Sequence, residues 1–168
     1  MIKAILAMDQ DWGIGKNGDL PWPRNPADLK WFKQITTGQE VVMGRKTWDS
    51  LPIKPLPNRR NLVISSDPSL LYKTPKPDFA CPLGAWHVIR RDKVVSERYK
   101  NEGCWIIGGA SLIESCLDVI DEIWISNIAG TYDCDVFLPK EKIISNFTAS
   151  NNEVTDDGLS ITIWRKNK

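Results

Sequence analysis

Three stretches of this chain are apolar almost residue after residue: Ile2 to Met8, Asn61 to Ser66 and Cys104 to Ile107. A strand with one wet face alternates apolar and polar side chains, whereas a strand covered on both faces does not. Parallel strands need crossover connections, and those connections cover the sheet. The expectation is therefore an α/β fold with a mostly parallel central sheet and helices on both faces. Between the runs, Pro26 to Thr37 reads as a helix, with Asn25 as N-cap, Pro26 at the first helical position and Gly38 just past the end. Glu40 to Met43 reads as a strand and Arg45 to Leu51 as a short helix. Trp86 to Ile89 reads as a strand, Asp92 to Asn101 as a helix, Ser111 to Val119 as a helix and Glu122 to Ile128 as a strand. Phe147 to Thr155 and Ser160 to Arg165, joined by Asp156-Asp157-Gly158, form an antiparallel C-terminal hairpin. Asp67 to Gly84 holds four of the eleven prolines and reads as a surface excursion.

The 168 residues fit one domain, 1–168. Lys plus Arg number 22 and Asp plus Glu 21, a balance with no global pull towards nucleic acid or an anionic membrane. Cys81, Cys104, Cys116 and Cys134 include no C-x-x-C pair, and His87 is the one histidine, which excludes a clustered metal site and a disulfide framework. Cys104 and Cys116 read as small buried apolar side chains. Residues Met1 to Asp9 are too short for a signal-peptide core, and no apolar run approaches the roughly 18 residues that span a bilayer. A cytoplasmic monomer is expected.

Ligands of open α/β sheets sit beyond the carboxyl ends of the strands. Five features stand out. Asp28 shares a helix face with Trp31, Phe32 and Ile35, so one carboxylate opens an apolar stripe. A first-turn acid also suits the helix dipole, and the pattern leaves both readings open. A desolvated carboxylate there requires a donor-rich partner, such as a ligand with an amidine-like N–H pair. Gly44-Arg45-Lys46-Thr47 follows a strand and opens a helix, which suits phosphate, although a solvated basic turn has the same composition. Ile107-Gly108-Gly109-Ala110-Ser111 carries a buried strand into a diglycine turn; it lacks the G-x-G-x-x-G spacing of an ordinary dinucleotide site. The segment Gly13 to Trp22 is a glycine-rich loop after the first strand, a lid or a plain surface loop. In Pro55-Leu56-Pro57-Asn58-Arg59, prolines stiffen a loop that presents an arginine able to clamp a carboxylate.

These features, in this order, resemble the dihydrofolate reductase family from Ile2 to Arg165. The motifs are Ile14-Gly15-Lys16-Asn17-Gly18-Asp19-Leu20-Pro21-Trp22, Asp28-Leu29-Lys30-Trp31-Phe32-Lys33 and Met43-Gly44-Arg45-Lys46-Thr47-Trp48. Leu56-Pro57-Asn58-Arg59, Ile107-Gly108-Gly109 and Asp135-Val136-Phe137-Leu138-Pro139 complete the set. The resemblance implies a sheet of about eight strands with an antiparallel C-terminal edge. It also implies hydride transfer from NADPH to C6 of 7,8-dihydrofolate, with protonation at N5. Asp28 would bind the pterin N3 and 2-amino group, supported by Ser126 where the family usually has Thr. Ile5 and Ile107 would offer backbone carbonyls, with Ala7 beside them. Leu29, Phe32, Leu51 and Leu56 would wall the pterin and benzoyl rings. Arg59 would hold the glutamate α-carboxylate, with Lys33 and Lys54 nearby. Leu20 and Trp22 would belong to the lid. Ala7, Ile14, Gly15, Asn17, Gly18, Asp19, Leu20, Ile107, Gly108, Gly109, Ala110, Ser111 and Leu112 would line the nicotinamide and pyrophosphate path. Gly44, Arg45, Lys46, Thr47, Ser65 and Ser66 would take the cofactor phosphates, with Arg90 and Arg91 as further candidates. The Gly108–Gly109 peptide would be cis.

The chain departs from the family pattern at two places. Ile113 stands where the family usually has a Tyr lining the cofactor, and one extra residue lies between Trp22 and Asp28. Two alternatives stay open: a riboflavin-pathway reductase of the same fold, and a non-catalytic NADPH-binding module.

Overall fold

The structure, a computed structural model, describes residues 1–91 and 103–168, and of Arg91 the backbone alone. Its frame is a mixed sheet in the order β10-β11-β7-β1-β6-β3-β4-β5. The strands are β1 (Ile2–Met8), β3 (Glu40–Gly44), β4 (Arg60–Ile64), β5 (Phe79–Cys81), β6 (Cys104–Gly108), β7 (Glu122–Asn127), β10 (Glu153–Val154) and β11 (Ser160–Lys166). β9 (Phe147–Ala149) also pairs with β11. From β7 across to β5 every neighbouring pair is parallel, and β11 adds the antiparallel edge. A separate ribbon joins β2 (Gly13–Gly15) to β8 (Val136–Phe137).

Burial on both faces of the strands is visible residue by residue. Ile5, Val41, Met43, Val63 and Trp105 pack with Trp48 and with Trp31, Phe32 and Ile35. Their chain neighbours Ala4, Val42, Leu62 and Ile106 pack on the other face with Trp86, Ile113, Cys116 and Ile143. Helices α1 (Pro26–Thr36) and α2 (Arg45–Ser50) thus cover one face; α3 (Leu83–Arg91), α4 (Ala110–Cys116) and α5 (Lys140–Asn146) cover the other. Helix α1 begins as its sequence requires: the Asn25 side chain accepts from the Asp28 N–H, and Pro26 opens the first turn. Gly38 follows its end at φ 78°, a left-handed position that suits glycine.

Some expectations need correction. Trp86 to Ile89 is not a strand; it lies within helix α3, where Trp86 is buried while Val88 is exposed. A stretch of four residues does not distinguish the two periods, and Val88 and Ile89 tilted the reading towards a strand. The stretch from Asp67 to Gly84 is not wholly an excursion. It holds a 3-10 turn at Pro68–Tyr72 and β5, the outermost parallel strand. Phe147 to Thr155 is not one strand but two, β9 and β10, each on its own part of β11. The helix expected over Asp92 to Asn101 lies outside the described residues.

Candidate active site

The sheet itself opens the site. The ladder between β1 and β6 runs from Ile2 opposite Cys104 to Ala4 opposite Ile106 and stops there. On its other side, β1 continues paired with β7 out to Met8 opposite Asn127. Between β6 and β3 the register slips: Val42 faces Ile106 and Met43 faces Gly108, which leaves Ile107 unpaired with β3. Such a bulge re-aims the backbone beside a site. The connections from β1 and β6 also leave towards opposite faces, through α1 and α4. Ile5 and Ile107 therefore flank a crevice at the carboxyl ends of the strands, where open α/β sheets hold ligands.

Asp28 stands at the edge of this crevice. A cavity of about 240 Å³ is lined by Asp28, Leu29, Leu20, Trp22, Asp19, Arg24 and Asn25. Burial pushes the Asp28 carboxyl above its ordinary value, and the Ser126 hydroxyl, donating to it, partly opposes the rise. Ser126 is itself buried on β7. Asp28 sits in the first turn of α1, where its backbone N–H donates to Asn25 Oδ1 at 3.1 Å, and the same residue lines the cavity. A second acid, Asp19, lines the same cavity.

Of the four residues expected to wall the rings, Phe32, Leu51 and Leu56 are half-buried and pack, as Ile107 does, on the cluster that contains Ile5 and Trp48. Leu20 and Leu29 are exposed at the cavity mouth, whereas Trp22 is buried against Ile128, Leu159, Ile161 and Ile163. Arg59 Nε donates to the Pro57 carbonyl at 2.9 Å and Nη1 to Thr36 Oγ1 at 3.1 Å. Its guanidinium lies 5.8 Å from the Phe32 ring centre, and burial lowers its pKa. Two of its five N–H donors are used in this way, so a fixed fork remains for a carboxylate. Lys33 is exposed on α1. Lys54 is turned elsewhere: its ammonium caps the end of α2 through the carbonyls of Trp48 and Asp49 at 3.3 and 3.0 Å.

On the other side of the crevice, the turns after β3 and β6 meet. The Gly108–Gly109 peptide is cis, and Gly108 has φ 128°. A Cβ on Gly108 would come to 3.5 Å from Thr47 Oγ1, and one on Gly44 to 3.9 Å from Gly108 O and Gly109 N. Arg45 is clasped by two carboxylates, Asp49 at 3.1 Å and Asp67 at 3.0 Å. Lys46, Ser66 and Ser111 are exposed. Ser65 Oγ accepts from the Asp67 N–H at 3.1 Å. Leu112 and Ile113 point into the core beneath α4, and Ile113 is fully buried, so its side chain does not line the crevice. Arg90 pairs with the buried Glu40, the first residue of β3, at the amino edge of the sheet and away from the crevice. The Arg91 side chain lies outside the described residues.

Hydrogen bonds tie down the glycine-rich loop after β1. Asn17 and Gly18, at φ 51° and 79°, turn the chain between the reciprocal Lys16 and Asp19 hydrogen bonds of 2.9 and 3.0 Å. The Asn17 N–H donates to Asp135 Oδ2 at 2.9 Å. Ile14 is half-buried in the core beside Trp12, and the Gly15 carbonyl accepts from the Asp135 N–H at 2.9 Å. Ala7 packs with the Trp22 cluster. Sequence reasoning missed Arg24 and Tyr132, and it named Asn25 as the N-cap of α1 without its place at the cavity. It also missed Asp9, which had a signal: an aspartate at a strand end that accepts from the N–H two residues on.

The sequence profile of the family described as dihydrofolate reductase matches residues 1–162. The chain belongs to the dihydrofolate reductase family. It is 36% identical over 140 residues to the dihydrofolate reductase of Bacillus subtilis, covering 83% of this chain and 76% of that one. It is 30% identical over 172 residues to the dihydrofolate reductase of Sus scrofa, covering 93% and 91%. A solved structure, dihydrofolate reductase from Enterococcus faecalis complexed with NADP(H) and RAB-propyl, superposes with a TM-score of 0.79 at 27% identity, covering 100% of this chain and 97% of that one. In this member of the dihydrofolate reductase family, the crevice lies between the diglycine turn and the helix that carries Asp28.

Proposed function

We propose that this protein is an NADPH-dependent dihydrofolate reductase. The observation that carries the reading is the desolvated Asp28 carboxyl, bonded by Ser126, beside a crevice that ends in the Gly108–Gly109 turn. A buried carboxylate needs donors, and the amidine-like edge of a pterin supplies two in parallel. The Ile5 and Ile107 carbonyls, next to the end of the β1–β6 ladder, suit the other donors of the ring. Phe32, Leu51 and Leu56 cover the rings, and Arg59 clamps the glutamate tail.

The residues present fit a dinucleotide. Side chains on Gly44 and Gly108 would fill the groove between the two turns, and glycine leaves it open for a pyrophosphate. Thr47, Lys46, Ser65 and Ser66 offer hydroxyls and charge for its phosphates, with Arg45 held between Asp49 and Asp67. NADPH, when bound, supplies the hydride for C6. Asp28 orients the ring and favours its protonated form, while water admitted under the lid brings the proton to N5. Leu20 and Trp22 exclude bulk water when the lid covers the pocket.

The reading takes the chain as one domain, residues 1–168, acting as a monomer. The four cysteines are unpaired, in keeping with a reducing compartment such as the cytoplasm. Among the described residues, no helix is long and apolar enough to cross a membrane. Mixing the purified protein with NADPH and dihydrofolate tests the reading. Loss of nicotinamide absorbance is the expected result. NADPH binding with no loss would leave a binding module, and loss only with a riboflavin precursor would reassign the substrate.

A further inference from the structure

Asp9 follows β1 and is 2% exposed, and nothing in the chemistry above uses it. Its carboxylate accepts four hydrogen bonds from two separate segments. Oδ1 takes the N–H groups of Asp11 and Gly13 at 2.9 and 2.8 Å. Oδ2 takes the Tyr132 N–H at 3.1 Å and the Cys134 thiol at 3.3 Å. Burial alone would raise its pKa; the Gly13, Cys134, Asp11 and Tyr132 donors outweigh that and hold the carboxyl below its ordinary value. The two segments touch closely here, because a Cβ on Gly13 would stand 2.3 Å from Cys134 Sγ.

Both segments lead to the lid. From Gly13 the chain enters β2, which pairs with β8 and precedes the Lys16–Asp19 turn. From Tyr132 the contact is a side chain: its ring meets Trp22 edge-on at 6.1 Å, and Trp22 lines the cavity with Asp28. One oxygen therefore fixes the entry to the lid, and the other fixes the ring against which its far end rests.

We propose that Asp9 is a positioning residue for the lid, its two carboxylate oxygens joining the Asp11–Gly13 turn to the Tyr132–Cys134 loop and so setting where Trp22 stands over the Asp28 pocket. The proposal rests on the reading of that pocket as the pterin site. An asparagine has nearly the same shape but one acceptor oxygen. Whichever way the amide turns, it opposes N–H to one pair of donors and releases one segment.

The test compares wild type, Asp9→Asn, Cys134→Ala and Ile120→Val. Ile120 is fully buried, is outside the site, and serves as a control for loss of stability alone. The readouts are thermal unfolding, the single-turnover rate with NADPH and dihydrofolate, and hydrogen exchange at the Asn17 amide in the ligand-free chain. Asp9→Asn should exchange faster at Asn17 and reduce dihydrofolate at least about tenfold more slowly, as misplacement remote from the reacting atoms does. Cys134→Ala, which keeps three of the four bonds, should lie between it and wild type. Ile120→Val should unfold earlier yet react at the wild-type rate. A wild-type rate in Asp9→Asn overturns the proposal; if that variant does not fold, a wild-type rate and exchange in Cys134→Ala overturns it. If wild type fails to turn over while Asn17 exchange still quickens in Asp9→Asn, the pterin reading fails and the lid junction stands.

Discussion

Replacing Asp28 by asparagine should move stability and catalysis in opposite directions. The carboxyl is held at the cavity by burial, with one hydroxyl partner in Ser126, and burial raises its pKa from the ordinary 3.8. The sign follows from linkage. A folded-state pKa above the unfolded value means that the folded chain holds the proton more tightly. The group's contribution is fully present below the unfolded pKa and is lost as pH rises through the folded one. At neutral pH the ionised group therefore opposes folding of the ligand-free chain, and Asn removes that opposition. Catalysis loses two charge-assisted bonds to the pterin, each about 1.5–3 kcal/mol, and retains one neutral bond of about 1 kcal/mol. The net loss of about 2–5 kcal/mol corresponds to roughly a 30- to 5,000-fold fall in kcat/KM for dihydrofolate. Urea unfolding at pH 5 and pH 8 reads the first effect and steady-state kinetics the second, with NADPH affinity as control. The expected variant is at least as stable as wild type at pH 8, binds NADPH normally and turns over poorly. Wild-type turnover, or a matched loss of stability and activity at pH 8, would refute the reasoning.

Arg59→Leu should raise the dihydrofolate KM by roughly 10- to 150-fold, the loss of a charged bond, while the NADPH KM changes less than about twofold; equal changes in both would contradict the clamp. Asp67→Asn frees Arg45 from one of its two carboxylates, so the NADPH-to-NADH ratio of kcat/KM should rise by roughly two- to fivefold at low ionic strength and less in high salt; an unchanged ratio would mean that Arg45 does not meet the 2′-phosphate by which NADPH differs from NADH. Ile113→Tyr forces a larger, aromatic side chain into a fully buried position and should cost about 1–3 kcal/mol in urea unfolding. Tighter NADPH binding with no loss of stability would mean that the ring reaches the cofactor instead.

The parts of the fold legible in the sequence were those with a strong local cause. The core strands announced themselves because burial on two faces erases alternation, and α1 because Asn25, Pro26 and Gly38 mark both its ends. Asp28 was legible as an anomaly, a charge on an apolar stripe. Trp86 to Ile89 was misread because a short run carries no resolvable period; the pairing of β5 with β4 is a long-range contact without a local trace. The same holds at the site. The slip that leaves Ile107 unpaired depends on the register of β3 against β6, and the engagement of Arg45 by Asp67 joins residues far apart in the chain. Asp9 was overlooked because half of its partners, Tyr132 and Cys134, lie more than a hundred positions away.

The central claim is that a pterin held by Asp28 lies beside a nicotinamide held at the diglycine turn. The most direct measurement is a single turnover with NADPH carrying deuterium at the transferable nicotinamide position, followed by NMR of the folate product. One deuterium at C6 for each NADPH oxidised is the predicted result. NADPH oxidised without label at C6, or dihydrofolate recovered unchanged from saturated enzyme, would contradict it.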